Sequence, residues 1–211
     1  KIMEKIKDEN VFKKIVQCSE YIEENGLTYI TIDHKKAAYE AVSHLISIGK
    51  KDIYLFSMKK DYTYSTLRRE GLIEAMKDNG LEFKRENEIL LDELSIKEAQ
   101  KHMNIILNNR EVKNIGIFAV SDVIAIGVIK ALNSKNIKIP QEAAIVGFDN
   151  IDFSAVIEPS LTTVSQPGYE LGVESVKSLM RKITGENNNP EKIILDYELI
   201  VRETTNKFVL K

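Results

Sequence analysis

The sequence predicts an α/β fold, a parallel sheet with helices on both faces, and three observations point to it. Short β-branched and apolar runs alternate with amphipathic segments of ten or more residues from about Thr28 to Gly147, the pattern of repeated βα units. The apolar run 144–147 delivers an aromatic and a carboxylate, Phe148 and Asp149, to its carboxyl end, where open α/β sheets bind ligands. Beyond it Pro159 stops any helix, residues 161–164 read as a short β-branched strand, and Pro167 opens a new amphipathic segment. The chain is expected to pass there from one packing unit to another.

Each element follows in order. Residues 1–9 have helical composition, 15–18 are strand-like, and 28–32 alternate β-branched and aromatic residues as a second strand does. Asp33 can cap a helix that carries Ala37, Ala38, Ala41, Val42, Leu45 and Ile46 on one side and stops at Gly49. A strand at 53–56 leads through the polar loop KKDYTY to a helix over about 65–78, closed by Asn79-Gly80. Strands at 88–91 and 115–119 precede helices at 95–107 and 122–134, and a strand at 143–147 completes the run. Past Gln166, residues 168–184 form a helix ended by Gly185, then comes a polar turn at 187–190 and a final extended stretch at 193–201.

Composition sets bounds. A chain of 211 residues with 43% hydrophobic content can bury one large core or two small ones. Charges of both signs make up 29% and sum to −2, so there is no basic footprint and the chain by itself is not expected to grip DNA. The single cysteine, Cys18, cannot form an internal disulfide and fits a reducing cytosol; in an apolar strand it is expected to be buried and inert. The charged start at 1–7 lacks the apolar stretch of a secretory signal, and no apolar run approaches the roughly eighteen residues needed to span a bilayer. A cytoplasmic protein is expected.

Chemistry is sparse. The sequence has no Gly-x-Ser-x-Gly elbow, no Walker phosphate loop, no His-Glu-x-x-His, and no Gly-x-Gly-x-x-Gly among its ten glycines. His34, His44 and His102 lie far apart at helical positions and read as structural or solvated. No catalytic residue, cofactor or metal site is predicted.

The run VGFDN at 146–150, followed by EPSLTTVSQPGYELG at 158–172, resembles the effector-binding core of the lactose-repressor (LacI/GalR) family of bacterial regulators. In that family a strand ending in Gly-Tyr/Phe-Asp-Asp/Asn is followed by Pro-x-Leu-Thr-Thr-Val-x-Gln-Pro. Further matches are Ile32-Asp33 before AAYEAVSHLISIGKKDI at 37–53, Arg68-x-x-Gly71, AVSDVIAIG at 119–127 and VRETT at 201–205. The resemblance implies a periplasmic-binding-protein-like pair of subdomains joined by crossover strands. Residues 1–32 and 166–196 would form an incomplete N-subdomain, and residues 33–165 and 197–211 the C-subdomain. It also implies a fragment, since a helix-turn-helix headpiece and the first βα units precede this region in the family.

By the same resemblance the chain is the effector-sensing core of a homodimeric repressor. It would bind a small polar metabolite, a sugar by default, between its subdomains, and so control operator DNA through the headpiece, with no membrane partner. The rival reading is a sugar-binding protein of a transport system, which shares the two-lobed fold; the lone cysteine and the Thr-Thr-Val-x-Gln-Pro crossover stand against it.

Candidate ligand-binding residues are the polar side chains at strand ends and in the loops that follow, which converge on one rim of an α/β sheet. The resemblance assigns Asp149 to accept hydrogen bonds from ligand hydroxyl or amine groups and Arg68 to donate to ligand oxygens, its planar fork holding two donors at fixed spacing. Structural alternatives compete. Asp149 can pin its own loop, Arg68 can pair with Glu70 or, in better geometry, Glu74 on its helix surface, and Tyr62 and Tyr64 can cover the underside of theirs. Asp122 reads as the N-cap of its helix, leaving Ser121 as the contact; relatives usually carry Asn-Asp here, and Ser offers one hydroxyl for a two-ended amide. Leu94 stands where many relatives stack an aromatic on the ligand, and Glu20 follows the strand ending at Cys18. Removing Asp149 or Arg68 is not expected to empty a core.

Overall fold

Asp33, Gln166 and Tyr197 are the last residues before the chain changes from one compact unit to the other, in a computed structural model that describes residues 9–59 and 62–206. The smaller unit begins with α1 (Glu9–Phe12), β1 (Val16–Cys18) and β2 (Thr28–Ile32). The chain then builds most of the larger unit: α2 (His34–Ser47), β3 (Asp52–Met58), α3 (Thr63–Asp78), β4 (Glu88–Leu91) and α4 (Ile96–Asn109). It continues through β5 (Ile115–Ala119), α5 (Asp122–Ser134), β6 (Ala143–Asp149), α6 (Phe153–Val156) and β7 (Thr162–Ser165). It returns to the smaller unit for α7 (Gly168–Thr184) and β8 (Lys192–Leu195), and ends in the larger with β9 (Glu198–Ile200).

The smaller unit is a parallel sheet of order β1-β2-β8, with α7 packed on β1 and β2. The larger is a sheet of order β4-β3-β5-β6-β7-β9, parallel throughout except for the last pair. Its β3, β5 and β6 are buried almost end to end, as strands covered on both faces must be. Right-handed crossovers explain the cover: β3 connects outward to β4, whereas β4 to β5 and β5 to β6 run the other way, so α3 falls on one face and α4 and α5 on the other. In agreement, α2 packs on α3 and α4 packs on α5. Phe56, Phe118 and Phe148 are the largest fully buried side chains.

The helix pairs approach closely because glycine allows it. A Cβ on Gly71 of α3 would stand 2.1 Å from the Lys35 carbonyl oxygen and 2.9 Å from the Tyr39 nitrogen, both backbone atoms of α2. Gly71→Ala must therefore push two helices apart, and its unfolding free energy is expected to fall by about 1–3 kcal/mol. Urea denaturation checks this, and an unchanged midpoint would contradict the packing.

Several expectations are corrected. Cys18 is exposed, because β1 is a three-residue edge strand with little sheet to bury it; its Sγ reaches the Leu171 carbonyl at 3.8 Å. The stretch 193–201 is not one strand but two, in different sheets, broken at Asp196-Tyr197 where the chain crosses without a Gly or Pro to announce it. The helices are longer than their sequence patterns: α3 starts at Thr63 and α4 runs to Asn109. The helical start predicted at 1–9 lies, apart from Glu9, outside the described residues. Among the described residues no helix is long and apolar enough to cross a membrane.

Candidate functional site

The connection leaving β3 goes to β4 on one side, while β5 flanks β3 on the other, so the loops after β3 and β5 diverge and open a crevice at the carboxyl ends of the strands. Asp149, the last residue of β6, lies on this edge. Its φ of 114° and the 52° of Asn150 place two consecutive non-glycine residues at positive φ, a strained pair that persists only where neighbours fix it.

The neighbours are identifiable. Gln166 Nε2 donates to Asp149 Oδ1 at 2.7 Å, and Ser121 also hydrogen-bonds the carboxylate. Asn150 donates from its backbone to Thr163 Oγ1 at 3.3 Å and from Nδ2 to Ser165 at 3.1 Å, and its Oδ1 accepts from Arg202 Nη2 at 2.8 Å. The Asp149 side chain nonetheless keeps 31% exposure. Burial raises its pKa, against the opposing pull of Arg68 and the two hydrogen bonds.

Arg68 is buried, at 3% exposure. Its Nη1 donates to the Val120 carbonyl and lies 3.8 Å from Asp149 Oδ1, and its Nη2 stands 3.3 Å from His34 Nδ1. The guanidinium covers the Phe148 ring at 3.4 Å from the centroid and reaches Tyr64 at 4.8 Å. Tyr62 stacks on Tyr64 at 5.3 Å and 12°, extending the aromatic surface. The result is an acceptor carboxylate beside aromatic faces, a combination that takes hydroxyl protons on one side and flat C–H surface on the other.

Beneath the site lies Asp122, fully buried. Its Oδ1 accepts from Thr163 Oγ1 at 2.6 Å, and its Oδ2 from Ser154 Oγ at 2.6 Å and the Ile151 amide at 3.1 Å. Gly147 makes room, since a Cβ there would stand 2.2 Å from Asp122 Oδ1. Desolvation, only partly offset by these hydrogen bonds, pushes the Asp122 pKa up to about 6. The VRETT tail completes the frame: Thr204 Oγ1 accepts from the Thr162 amide and donates to the Ile145 carbonyl, both at 2.8 Å, while Thr205 Oγ1 meets His44 Nε2 at 2.8 Å.

Of the sequence-predicted residues, the structure brings together Asp149, Ser121, Arg68, Tyr64 and Tyr62. Leu94, half exposed before α4, follows β4, which lies three strands from β6; at a spacing of about 4.8 Å per strand this is roughly 14 Å away. Glu20 belongs to the smaller unit, in the turn after β1. Two readings are overturned. Ser121, not Asp122, caps α5, accepting from the Val123 amide at 3.3 Å, because Asp122 is turned inward to its three donors. Arg68 does not pair with Glu74, which bonds Lys35 at 2.7 Å; it points into the core, so its removal does disturb buried packing. Sequence reasoning missed His34 and Gln166. The first was passed over as an isolated helical histidine, and the second was read only as a crossover position.

An open α/β lobe with an acidic, aromatic-flanked crevice at its switch point is a small-molecule-binding module in class. The chain belongs to the periplasmic binding protein-like domain family, which it matches over residues 26–205. It is 36% identical to the HTH-type transcriptional regulator MalR of Clostridium butyricum over 83% of this chain and 51% of that protein. It is 28% identical to the HTH-type transcriptional repressor CytR of Escherichia coli over 95% of this chain and 58% of that one. The chain thus spans little more than half the length of these relatives. Among solved structures it resembles a LacI family regulator of Enterococcus faecium with bound ribose, at TM-score 0.74 and 28% identity over 84% of this chain and 65% of that one. It also resembles the regulator CelR in complex with cellobiose, at TM-score 0.81 and 25% identity over 90% of this chain and 57% of that one. The likeness to lactose-repressor-type regulators, read from the motifs, stands.

Proposed function

We propose that this chain is the effector-sensing core of a cytoplasmic, homodimeric transcriptional regulator, non-catalytic, that takes a small hydroxyl-rich metabolite and transmits its presence to operator DNA through a separate headpiece. The observation that carries the reading is Asp149: two residues at positive φ, braced from β7, Gln166 and Arg202, hold one carboxylate at the carboxyl edge of the sheet, one strand from the switch point, with a third of its surface open. Such strain has a use when it preorganises an acceptor for a ligand. Ser121, Tyr64 and Tyr62 line the same wall, with Arg68 as its support from below. The larger unit, residues 34–166 and 198–211, is assigned as the C-subdomain, and the smaller, residues 1–33 and 167–197, as the N-subdomain, each bound one residue beyond the sequence expectation. The sugars bound by the ribose and cellobiose complexes of similar regulators support a sugar as the ligand.

Calorimetric titration of mono- and disaccharides into the full-length regulator tests this. Asp149→Ala removes a charge-assisted acceptor worth roughly 1.5–3 kcal/mol, so affinity for the effector is expected to fall about ten- to a hundredfold while unliganded operator binding persists. Unchanged affinity would return Asp149 to the role of a loop pin.

A further inference from the structure

The two residues after Asp149 hang by their backbone amides from one buried carboxylate. The Ile151 amide donates directly to Asp122 Oδ2 at 3.1 Å, and the Asn150 amide donates to Thr163 Oγ1 at 3.3 Å. Thr163 Oγ1 in turn gives its proton to Asp122 Oδ1 at 2.6 Å. A hydroxyl has a single proton and an ionised carboxylate can only accept, so Asp122 fixes how Thr163 is turned: proton toward the carboxylate, lone pairs toward Asn150. Asp122 and Thr163 are both 0% exposed, which shields this chain of bonds from solvent.

A buried acid at this place has an ordinary use, since its bonds to Ser154 and Thr163 also fasten the start of α5 to α6 and β7. Such fastening does not require that two of the three donors lead to consecutive amides directly after Asp149. Nor does it require that Gly147, two residues before Asp149, be bare so that Asp122 Oδ1 can lie against the same strand. Asp149 at φ 114° and Asn150 at φ 52° stay in an unfavourable region only while neighbours hold them, and for the backbone these neighbours are Asp122 and Thr163. On the reading of Asp149 as the effector's acceptor, we propose that Asp122, acting through Thr163, is the positioning residue of the site: it locks the Asp149-Asn150 turn and so aims the Asp149 carboxylate into the crevice.

Amide hydrogen exchange, read residue by residue in the unliganded full-length protein at about pH 7.5, where Asp122 is mostly ionised, tests the lock through crossed variants. Asp122→Ala spares the acceptor of the Asn150 amide, and Thr163→Val spares that of the Ile151 amide. Each spared amide is nevertheless expected to exchange about tenfold faster or more, because the turn loosens as a whole. Asp122→Asn and Thr163→Ser, which keep the bonds, should exchange near the native rate. Thr163→Val decides the matter if Asp122→Ala fails to fold. Native protection at the spared amides, or equal losses in the conservative variants, overturns the proposal. Calorimetry with ribose and cellobiose reads the consequence: affinity should fall about tenfold in Thr163→Val and stay within about twofold of native in Thr163→Ser, although the lost methyl lowers the melting temperature of the latter. Affinity that follows melting temperature instead would reduce Asp122 and Thr163 to fastening and overturn the positioning role. Undiminished sugar affinity in Asp149→Ala would sink Asp149 as the acceptor, whereas the exchange at Asn150 and Ile151 needs no ligand and decides the lock separately, also if neither sugar is the effector.

Discussion

Arg68→Ala is expected to destabilise the protein by about 3–5 kcal/mol, the range found when one partner of a buried charged cluster is removed. The substitution strands the Val120 carbonyl, takes the positive charge from 3.8 Å of Asp149 Oδ1, and opens a void over the Phe148 ring, all at a position with 3% exposure. Arg68→Lys should rescue little. A single ammonium cannot reach a carbonyl on one side and the His34 ring on the other while lying flat on an aromatic face. Urea unfolding measures both: the midpoint should fall with the slope unchanged. A loss below about 1 kcal/mol for Arg68→Ala would mean that the guanidinium contributes no more than a solvent-facing one.

Asp122 should give stability a distinctive pH dependence. Its folded pKa of about 6 exceeds the 3.8 of an unperturbed carboxyl, so the folded state holds the proton more tightly than the unfolded chain. The resulting stabilisation is fully present below about pH 4 and is lost as pH rises through about 6, a change of at most about 3 kcal/mol. Asp122→Asn cannot ionise, yet its carbonyl can accept from Ser154 and Ile151 while its amide donates to Thr163. Chemical denaturation between pH 4 and 7 should show the native protein losing stability with rising pH relative to the variant. Asp149 also titrates from a raised pKa, but it is present in both proteins, so the difference reports mainly on Asp122. Parallel curves would show that the hydrogen bonds outweigh burial and that Asp122 is ionised throughout.

Much of this was readable from the chain because periodicity reports burial. The strands at 28–32, 88–91 and 115–119 and the helix at 122–134 coincide with their predicted bounds, since apolar runs and capping residues mark them directly. Asp149 was visible for the same reason, as the polar end of an apolar strand. The direction of a side chain was not visible. Arg68 carries the same sequence signal whether it faces solvent or Phe148, and only the close approach of α2 and α3, permitted by Gly71, decides it. Asp122 and Ser121 are adjacent residues that either can cap a helix. Three donors more than twenty-five residues away, in Ile151, Ser154 and Thr163, draw Asp122 inward and leave the cap to Ser121.

The pairing of β2 with β8 also sets an order of assembly. Tyr29 faces Lys192 and Ile32 faces Leu195 across the ladder, so the small sheet joins strands separated by nearly the whole larger unit. Closing such a loop is costly in chain entropy when the intervening residues are unfolded, and much less so once they are compact. A ribosome releases β1 and β2 before the larger unit, yet β8 emerges only after residues 34–166. Folding of the larger unit is then the event that brings β8 within reach, and until it happens β2 presents an unpaired edge in the nascent chain. Agents that delay the larger unit, a destabilising change at Gly71 or Arg68 among them, should therefore prolong exposure of that edge, with aggregation of the emerging protein as the visible effect.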